Sequence, residues 1–160
     1  GFSARHAMVT TVRGQFPDFE GEAHVDTSIP SNSHVALRIV ASSIDTGKED
    51  RNAHLRSPDF FDVETFPEIT FSSTDVRRDG DDWIVAGDLA IRDVSRRVEI
   101  PFTLNGSAQD IYGNMRVGFE GETTINRKDW GLTWNSALET GGVMVSDKIK
   151  LQFDVSAIQK

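Results

Sequence analysis

The chain has 160 residues, and its 17 lysines and arginines against 25 aspartates and glutamates leave a net charge of −8. This length can bury roughly 70% of the surface of the unfolded chain, so we expect residues 1–160 to form a single domain. The acidity disfavours nucleic acid and anionic lipid surfaces as partners, no apolar run is long enough for a membrane span, and the lack of cysteine excludes thiol catalysis and thiolate metal sites.

Apolar and polar residues alternate with a period of two along most of the chain, which indicates β-strands with one buried face. The last of these segments is typical, with Ile149, Leu151 and Phe153 separated by polar residues. In chain order, eight strands are predicted, at residues 2–12, 20–27, 34–43, 69–76, 82–91, 98–105, 115–125 and 148–155.

The connections between these segments are mostly short and polar. Residues 78–81 have the composition of a hairpin turn, residues 92–97 are read as the next turn, and Asn105-Gly106-Ser107 is a third turn signal. Sequential strands with short links pair as antiparallel neighbours, so a closed up-and-down barrel or a sandwich is expected. The small inward-facing residues Ala4, Gly87 and Gly121 argue against a fully packed interior.

Two irregular segments interrupt the strands. In residues 46–66, a short helix is predicted at 48–57, followed by Pro58 and a loop that carries Phe60 and Phe61 over one end of the barrel. Residues 127–142 contain Trp130 and Trp134 and are predicted to form a flap over one of the two mouths.

Few residues in the sequence indicate a catalytic or metal-binding function. The sequence has no serine-hydrolase elbow, no phosphate-binding glycine loop and no zinc-protease helix. Its four histidines never have the local spacing of a metal site, so such a site would need long-range assembly, and we predict no metal and no cofactor. His6 is either a hydrogen-bonded core residue or a ligand contact, while Arg51 and His54 share a helix face and either brace the loop or bind a polar group.

The chain resembles a known family in several blocks. The central ones are Ile44-Asp45-Thr46-Gly47, residues 51–62 (Arg-Asn-Ala-His-Leu-Arg-Ser-Pro-Asp-Phe-Phe-Asp) and residues 66–71 (Phe-Pro-Glu-Ile-Thr-Phe). Further agreement lies in the His-x-Met-x-Thr-x-Val-x-Gly-x-Phe pattern within residues 2–16, in residues 87–98, and in residues 118–155 with their Asn-Arg-Lys-Asp-Trp-Gly-Leu run. These blocks are similar to those of the YceI-like family, also called polyisoprenoid-binding proteins, over essentially the whole chain.

The resemblance implies an all-β fold: an eight-stranded antiparallel up-and-down lipocalin-like barrel with a short helix and loop over one end. It also implies an elongated apolar cavity for a polyisoprenoid, an isoprenoid quinone or a fatty-acid-like amphiphile. Members of the family usually begin with an Ile-Asp-x-x-His-Ser-x-Val segment, so we expect the start of the first strand to be missing ahead of Gly1.

The function expected from the residues and the resemblance together is binding of such an amphiphile for carriage, storage or sequestration. The candidate site residues are the lining residues Phe2, Ala4, Met8, Val85, Leu89, Ile100 and Phe102, the mouth aromatics Phe60, Phe61, Trp130 and Trp134, and the polar contacts His6, Arg51, His54 and Arg127.

Two other functions stay open at this point. One is an enzyme that cyclises or isomerises an isoprenoid or polyene chain in the same cavity, with His6 or His54 as acid or base. The other is an interaction barrel with a filled core. A cytoplasmic location is expected, or a periplasmic or secreted one if an N-terminal signal has been removed, and a homodimer is left open.

Overall fold

The computed structural model describes residues 1–6, 10–136 and 145–158. It is nearly all β, with one short α-helix. The strands and the helix are β1 (Phe2–His6), β2 (Thr10–Gly14), β3 (Phe19–His24), β4 (His34–Val40), α1 (Glu49–Arg56), β5 (Glu68–Asp79), β6 (Asp82–Ile91), β7 (Val94–Gln109), β8 (Met115–Asn126) and β9 (Lys148–Ile158). Short 3₁₀ helices occupy Pro30–Asn32, Ala41–Ser43 and Arg127–Trp130.

The described strands form a single antiparallel sheet in the order β2-β1-β9-β8-β7-β6-β5-β4-β3. An isolated bridge joins the chain just after β2 to the chain beyond β4, where the amides of Gln15 and Asp45 each donate a 2.9 Å hydrogen bond to the carbonyl of the other residue. The sheet therefore curls around an interior. This confirms the predicted fold class, an antiparallel barrel-like sheet with a short helix.

The first predicted strand is divided in two. The sequence predicted one strand over residues 2–12, whereas β1 and β2 pair antiparallel with Phe2 opposite Gly14 and His6 opposite Thr10. The chain therefore reverses between them, and the described residues hold nine strands instead of the predicted eight. Alternation continues on both sides of the reversal, and the Ala-Met-Val sequence between the strands carries no glycine, proline or asparagine to indicate a turn.

Strand β7 is longer than predicted at both ends. The turn before it is the two-residue Arg92–Asp93 link instead of residues 92–97, since Ile91 already pairs with Val94. The expected turn at Asn105–Ser107 is wrong as well, because this tripeptide lies inside β7, where the register to β8 shifts between Leu104 and Gly106. Gly106 has a φ of 99°, so the asparagine-glycine pair forms a β-bulge here instead of ending the strand.

Other local predictions are confirmed. Helix α1 falls within the predicted residues 48–57, and Ser57 ends it with an extended backbone before Pro58. The turn between β5 and β6 contains Gly80 with a φ of 61°, in the left-handed region that glycine adopts at little cost. No helix in the described part of the chain is long and apolar enough to cross a membrane.

Residues from β5, β6 and β7 form the centre of the core, including Val76, Trp83, Val85 and Ile100. Aromatic rings occupy the space beside the inward-facing glycines Gly87 and Gly121, so the incompletely packed interior that the sequence predicts does not arise at these two residues. A Cβ on Gly87 would lie 2.8 Å from the Phe71 ring, and one on Gly121 would lie 2.7 Å from the Phe102 ring. These glycines leave room for the Phe71 and Phe102 rings next to the strands.

Candidate functional site

The curled sheet and α1 enclose a cavity of about 310 Å³. This volume is at the lower end of the range for ligand pockets, about 300–1,000 Å³. The walls are dominated by apolar side chains from β1, β4, β5, β6 and β9, and the residues from α1 and the loop after it complete one part of the lining. A cavity of this size is inconsistent with the filled-core alternative.

The structure brings most of the predicted site residues together at this cavity. The residues from the predicted set that line it are Phe2, Ala4, Arg51, His54, Phe60, Phe61, Leu89, Ile100, Arg127 and Trp134. The side chain of His6 and the whole of Met8 lie outside the residues that the structure describes.

Three predicted residues do not belong to the cavity lining. Val85 is buried in the core next to Ile100, its partner across β6 and β7. The Phe102 ring packs 5.7 Å from the ring of Phe153, which does line the cavity. Trp130 is also buried, and its indole Nε1 donates a 2.8 Å hydrogen bond to the carbonyl of Leu89. All three support the cavity wall from behind or beside it.

Helix α1 is held in place by a polar network at its start. The buried Asn52 accepts hydrogen bonds through Oδ1 from both the amide and the hydroxyl of Thr46, at 2.8 and 2.6 Å. Arg51 donates from Nε to the Thr46 hydroxyl and from Nη2 to the Thr46 carbonyl. The structure shows no hydrogen bond from Nη1 of Arg51 to a described residue, and Arg51 lines the cavity.

His54, Phe60 and Trp134 form an aromatic cluster beside Arg51. The His54 ring lies edge-on to Trp134 with 4.6 Å between centroids and edge-on to Phe60 at 5.2 Å. Its Nε2 is 2.9 Å from Oδ2 of Asp59, which fixes the orientation of the imidazole. The loop of Phe60 is itself held by Arg92, whose Nη1 donates to the Phe60 carbonyl.

Phe61 connects the same loop to the opposite wall. Its ring lies edge-on to Phe16 at 5.7 Å, and Phe16 lies 5.6 Å from Phe2 of β1. The loop therefore contacts cavity-lining aromatic side chains on both sides, Trp134 through Phe60 and Phe16 through Phe61.

Arg127 lines the cavity but uses its donors within the protein. The buried guanidinium donates from Nη1 to the carbonyls of Leu132 and Trp134, at 2.7 and 2.8 Å, and from Nε to the carbonyl of Ser146. Burial lowers the pKa of Arg127, and the nearby Asp147 carboxylate partly offsets this effect. The visible effect of Arg127 is to hold the segment that carries Trp134 against the start of β9.

The sequence reading missed several cavity residues. They include Phe16, Phe19, Leu37, Ile39, Leu55, Ile69, Phe71, Ile91, Ile149, Leu151 and Phe153. Most occupy alternate positions of predicted strands, so the same alternation could have identified them once the inward face of each strand was chosen. Leu55 was missed because it faces the cavity from a helix with little amphipathic character.

The cavity can accommodate an elongated apolar group, with hydrogen-bonding partners near α1. Across the described residues, no group of three or more metal-ligating side chains is present. The polar and charged residues that line the cavity are Gly1, Arg5, Arg51, His54, Arg127, Gln152 and Asp154, and of these Arg51 and His54 come from α1.

Comparison with known proteins gives consistent results. The profile of the YceI-like domain matches residues 1–157. A UPF0312 protein of Pectobacterium atrosepticum is 38% identical over 132 residues, which cover 82% of this chain and 69% of that protein. The crystal structure of a Campylobacter jejuni YceI protein superposes with a TM-score of 0.81 at 27% identity, covering 100% of this chain and 92% of the other. A polyisoprenoid-binding domain from Saccharophagus degradans superposes with a TM-score of 0.66 at 16% identity, covering 97% and 90%.

Proposed function

Because this chain belongs to the YceI-like family, we propose that it binds a long-chain amphiphile of the isoprenoid class, with the apolar tail in the cavity and the polar head near α1. The observation that carries the proposal is the cavity of about 310 Å³ with apolar walls and with Arg51 and His54 of α1 in its lining. The name of the Saccharophagus domain, a relative in fold, supports the same ligand class.

Burial of the tail would provide the affinity. Each buried CH₂ group contributes about 0.8 kcal/mol, so a tail of a dozen carbons can offset the cost of association and leave micromolar binding. The head group would accept a hydrogen bond from Arg51 Nη1, which suits a phosphate, a quinone carbonyl or an amide carbonyl. Carriage, storage and sequestration are all compatible with such binding.

The test starts with native mass spectrometry of the purified protein, followed by organic extraction and mass analysis of any bound molecule. A stoichiometric adduct that yields an isoprenoid or a related lipid is the expected result. An empty protein that also fails to bind added prenyl lipids, quinones and fatty amides would overturn the proposal.

Two neighbouring residues of β4 provide a matched pair of variants. Ile39 lines the cavity, whereas Val40 points to the outer face and is 41% exposed. Ile39→Trp should fill part of the cavity and abolish tail binding, while Val40→Trp should bind as the unmodified chain does. Circular dichroism and melting temperature identify any variant that has lost its fold.

The second candidate is catalysis on the bound chain, and the pairing of His54 with Asp59 favours it because such a pair can position an acid or base. The distinguishing result would be conversion of a bound polyene that is lost in His54→Ala and in His6→Ala while binding persists. Recovery of the added ligand unchanged after long incubation would contradict catalysis and leave binding as the function.

The cytoplasmic location and the homodimer stay predictions. Cell fractionation with an antibody against the protein tests the first, and light scattering on the purified chain tests the second.

A further inference from the structure

Two of the four histidines, which have no metal-site spacing in the sequence, lie next to each other in the fold. His24 of β3 is directly opposite His34 of β4 in the antiparallel register. Their rings are stacked, with 5.5 Å between centroids and an angle of 25° between planes. The pairing of β3 with β4 therefore brings together two histidines that are too far apart in the sequence to share a metal ion by local spacing.

This histidine pair is separate from the cavity. Phe19 of β3 and Leu37 and Ile39 of β4 line the cavity, and alternation along each strand places His24 and His34 on the opposite, outer face. Both histidines are exposed, so their ring nitrogens are accessible to solutes.

We propose that His24 and His34 form a surface site for a divalent transition-metal ion of the class that imidazole binds, Cu²⁺ and Zn²⁺ foremost, with water completing the coordination. Metal–nitrogen bonds of about 2.0–2.1 Å place the centroids of two imidazoles on a tetrahedral ion about 5 Å apart. The observed spacing of 5.5 Å is close to this value, so both rings lie within reach of a shared ion once the side chains rotate out of the stacked arrangement and direct one nitrogen of each ring toward it.

The surroundings favour a cation. Glu22 and Asp26 lie two residues to either side of His24 and add negative charge to this edge. The nearest arginine on the outer face of β4 is Arg38, and its charge is paired with Glu20 and Glu68. The chain as a whole carries a net charge of −8, which also attracts cations.

A metal ion at this position would connect β3 to β4. Strand β3 is the last in the sheet order, and its inner face contributes Phe19 to the cavity lining. An ion that binds only the folded arrangement stabilises it by mass action. Occupancy should therefore stabilise this wall of the barrel without any contact with the cavity ligand.

The test is calorimetric titration of the full, tag-free chain with CuCl₂ in a buffer that does not coordinate metals. We expect one saturable Cu²⁺ site per chain and an electron paramagnetic resonance spectrum with nitrogen ligation. Either His24→Asn or His34→Asn removes one of two tethered ligands, so affinity should fall at least about tenfold. His54→Gln is the matched control, because His54 lies at the cavity mouth, and it should leave binding unchanged.

Thermal stability provides the second readout. Cu²⁺ or Zn²⁺ should raise the melting temperature of the unmodified chain and of His54→Gln. It should not raise that of His24→Asn or His34→Asn. The proposal is wrong if the unmodified chain shows no saturable site, if His24→Asn and His34→Asn bind as tightly as the control, or if the spectrum shows only oxygen ligands. Because both side chains are exposed, their variants should keep the melting temperature of the metal-free protein.

Discussion

At the scale of single residues, polar side chains next to the cavity mainly organise the protein. Arg127 donates to the backbone carbonyls of Leu132, Trp134 and Ser146, and its predicted contact with a ligand stays a prediction. Asn52, which the sequence reading did not single out, fixes the start of α1 through two hydrogen bonds from Thr46. The ligand-facing role of His54, Arg51 and the mouth aromatics stays a prediction that binding experiments test.

Replacing Arg127 should destabilise the fold and disturb the mouth. Arg127→Met leaves the buried carbonyl of Leu132 and the partly buried carbonyl of Trp134 without their donor, and we expect the free energy of unfolding to fall by more than about 2 kcal/mol. Urea denaturation monitored by tryptophan fluorescence measures this change.

The adjacent Lys128→Met is the control for Arg127. Lys128 is about half exposed and pairs with the same Asp147, so its loss should cost less than about 1 kcal/mol. Equal effects of the two substitutions would show that the hydrogen bonds from Arg127 to the backbone carbonyls contribute little to the free energy of unfolding.

The turn between β7 and β8 should be sensitive to acid through Asp110. A 2.8 Å bond from Arg116 Nε lowers the pKa of Asp110, as do bonds from the amides of Asn114 and Tyr112. Because the folded pKa lies below the ordinary value, this stabilisation is fully present above the ordinary pKa and is lost as the pH falls through the lowered one. Carboxyl chemical shifts measured against pH should report the lowered value.

Arg116→Met provides the comparison for that titration. Removing the guanidinium should raise the Asp110 pKa toward its ordinary value and make the Asn114 amide exchange faster at mildly acidic pH. An unchanged midpoint would mean that the backbone amides alone account for the shift.

At the scale of elements, glycines decide how closely strands and aromatic rings approach. Gly121 of β8 faces the Phe102 ring, and Gly118 of the same strand faces Asn105 with room for a Cβ at 3.6 Å. Gly121→Ala should therefore displace the ring and cost about 1–3 kcal/mol. Gly118→Ala should change stability by less than about 1 kcal/mol, because its new methyl group makes ordinary contacts.

Chemical denaturation of the two glycine variants tests this difference. If Gly121→Ala proves as stable as Gly118→Ala, the Phe102 ring has space to move and the close approach is not needed for stability.

At the scale of the whole molecule, fold stability and ligand binding should be coupled. A ligand that occupies the cavity interacts only with the folded sheet, so at a concentration of 100 times its Kd it adds about 2.7 kcal/mol of stability. Removing any bound amphiphile by organic extraction and refolding should therefore lower the melting temperature, and adding it back should restore the original value. This recovery should be absent in Ile39→Trp, whose cavity is filled.

The sequence by itself determined the strand class, the position of α1, the turn at Gly80 and part of the apolar wall, because each depends on local alternation or on a single turn residue. Tertiary structure alone decided the division of the first strand, the bulge at Gly106, the use of Arg127 as a backbone donor and the meeting of His24 with His34. The physical reason is that alternation reports which face of a strand is buried but not which strand lies beside it. Register, and every side-chain pair that register creates, follows from hydrogen bonds between residues far apart in the chain.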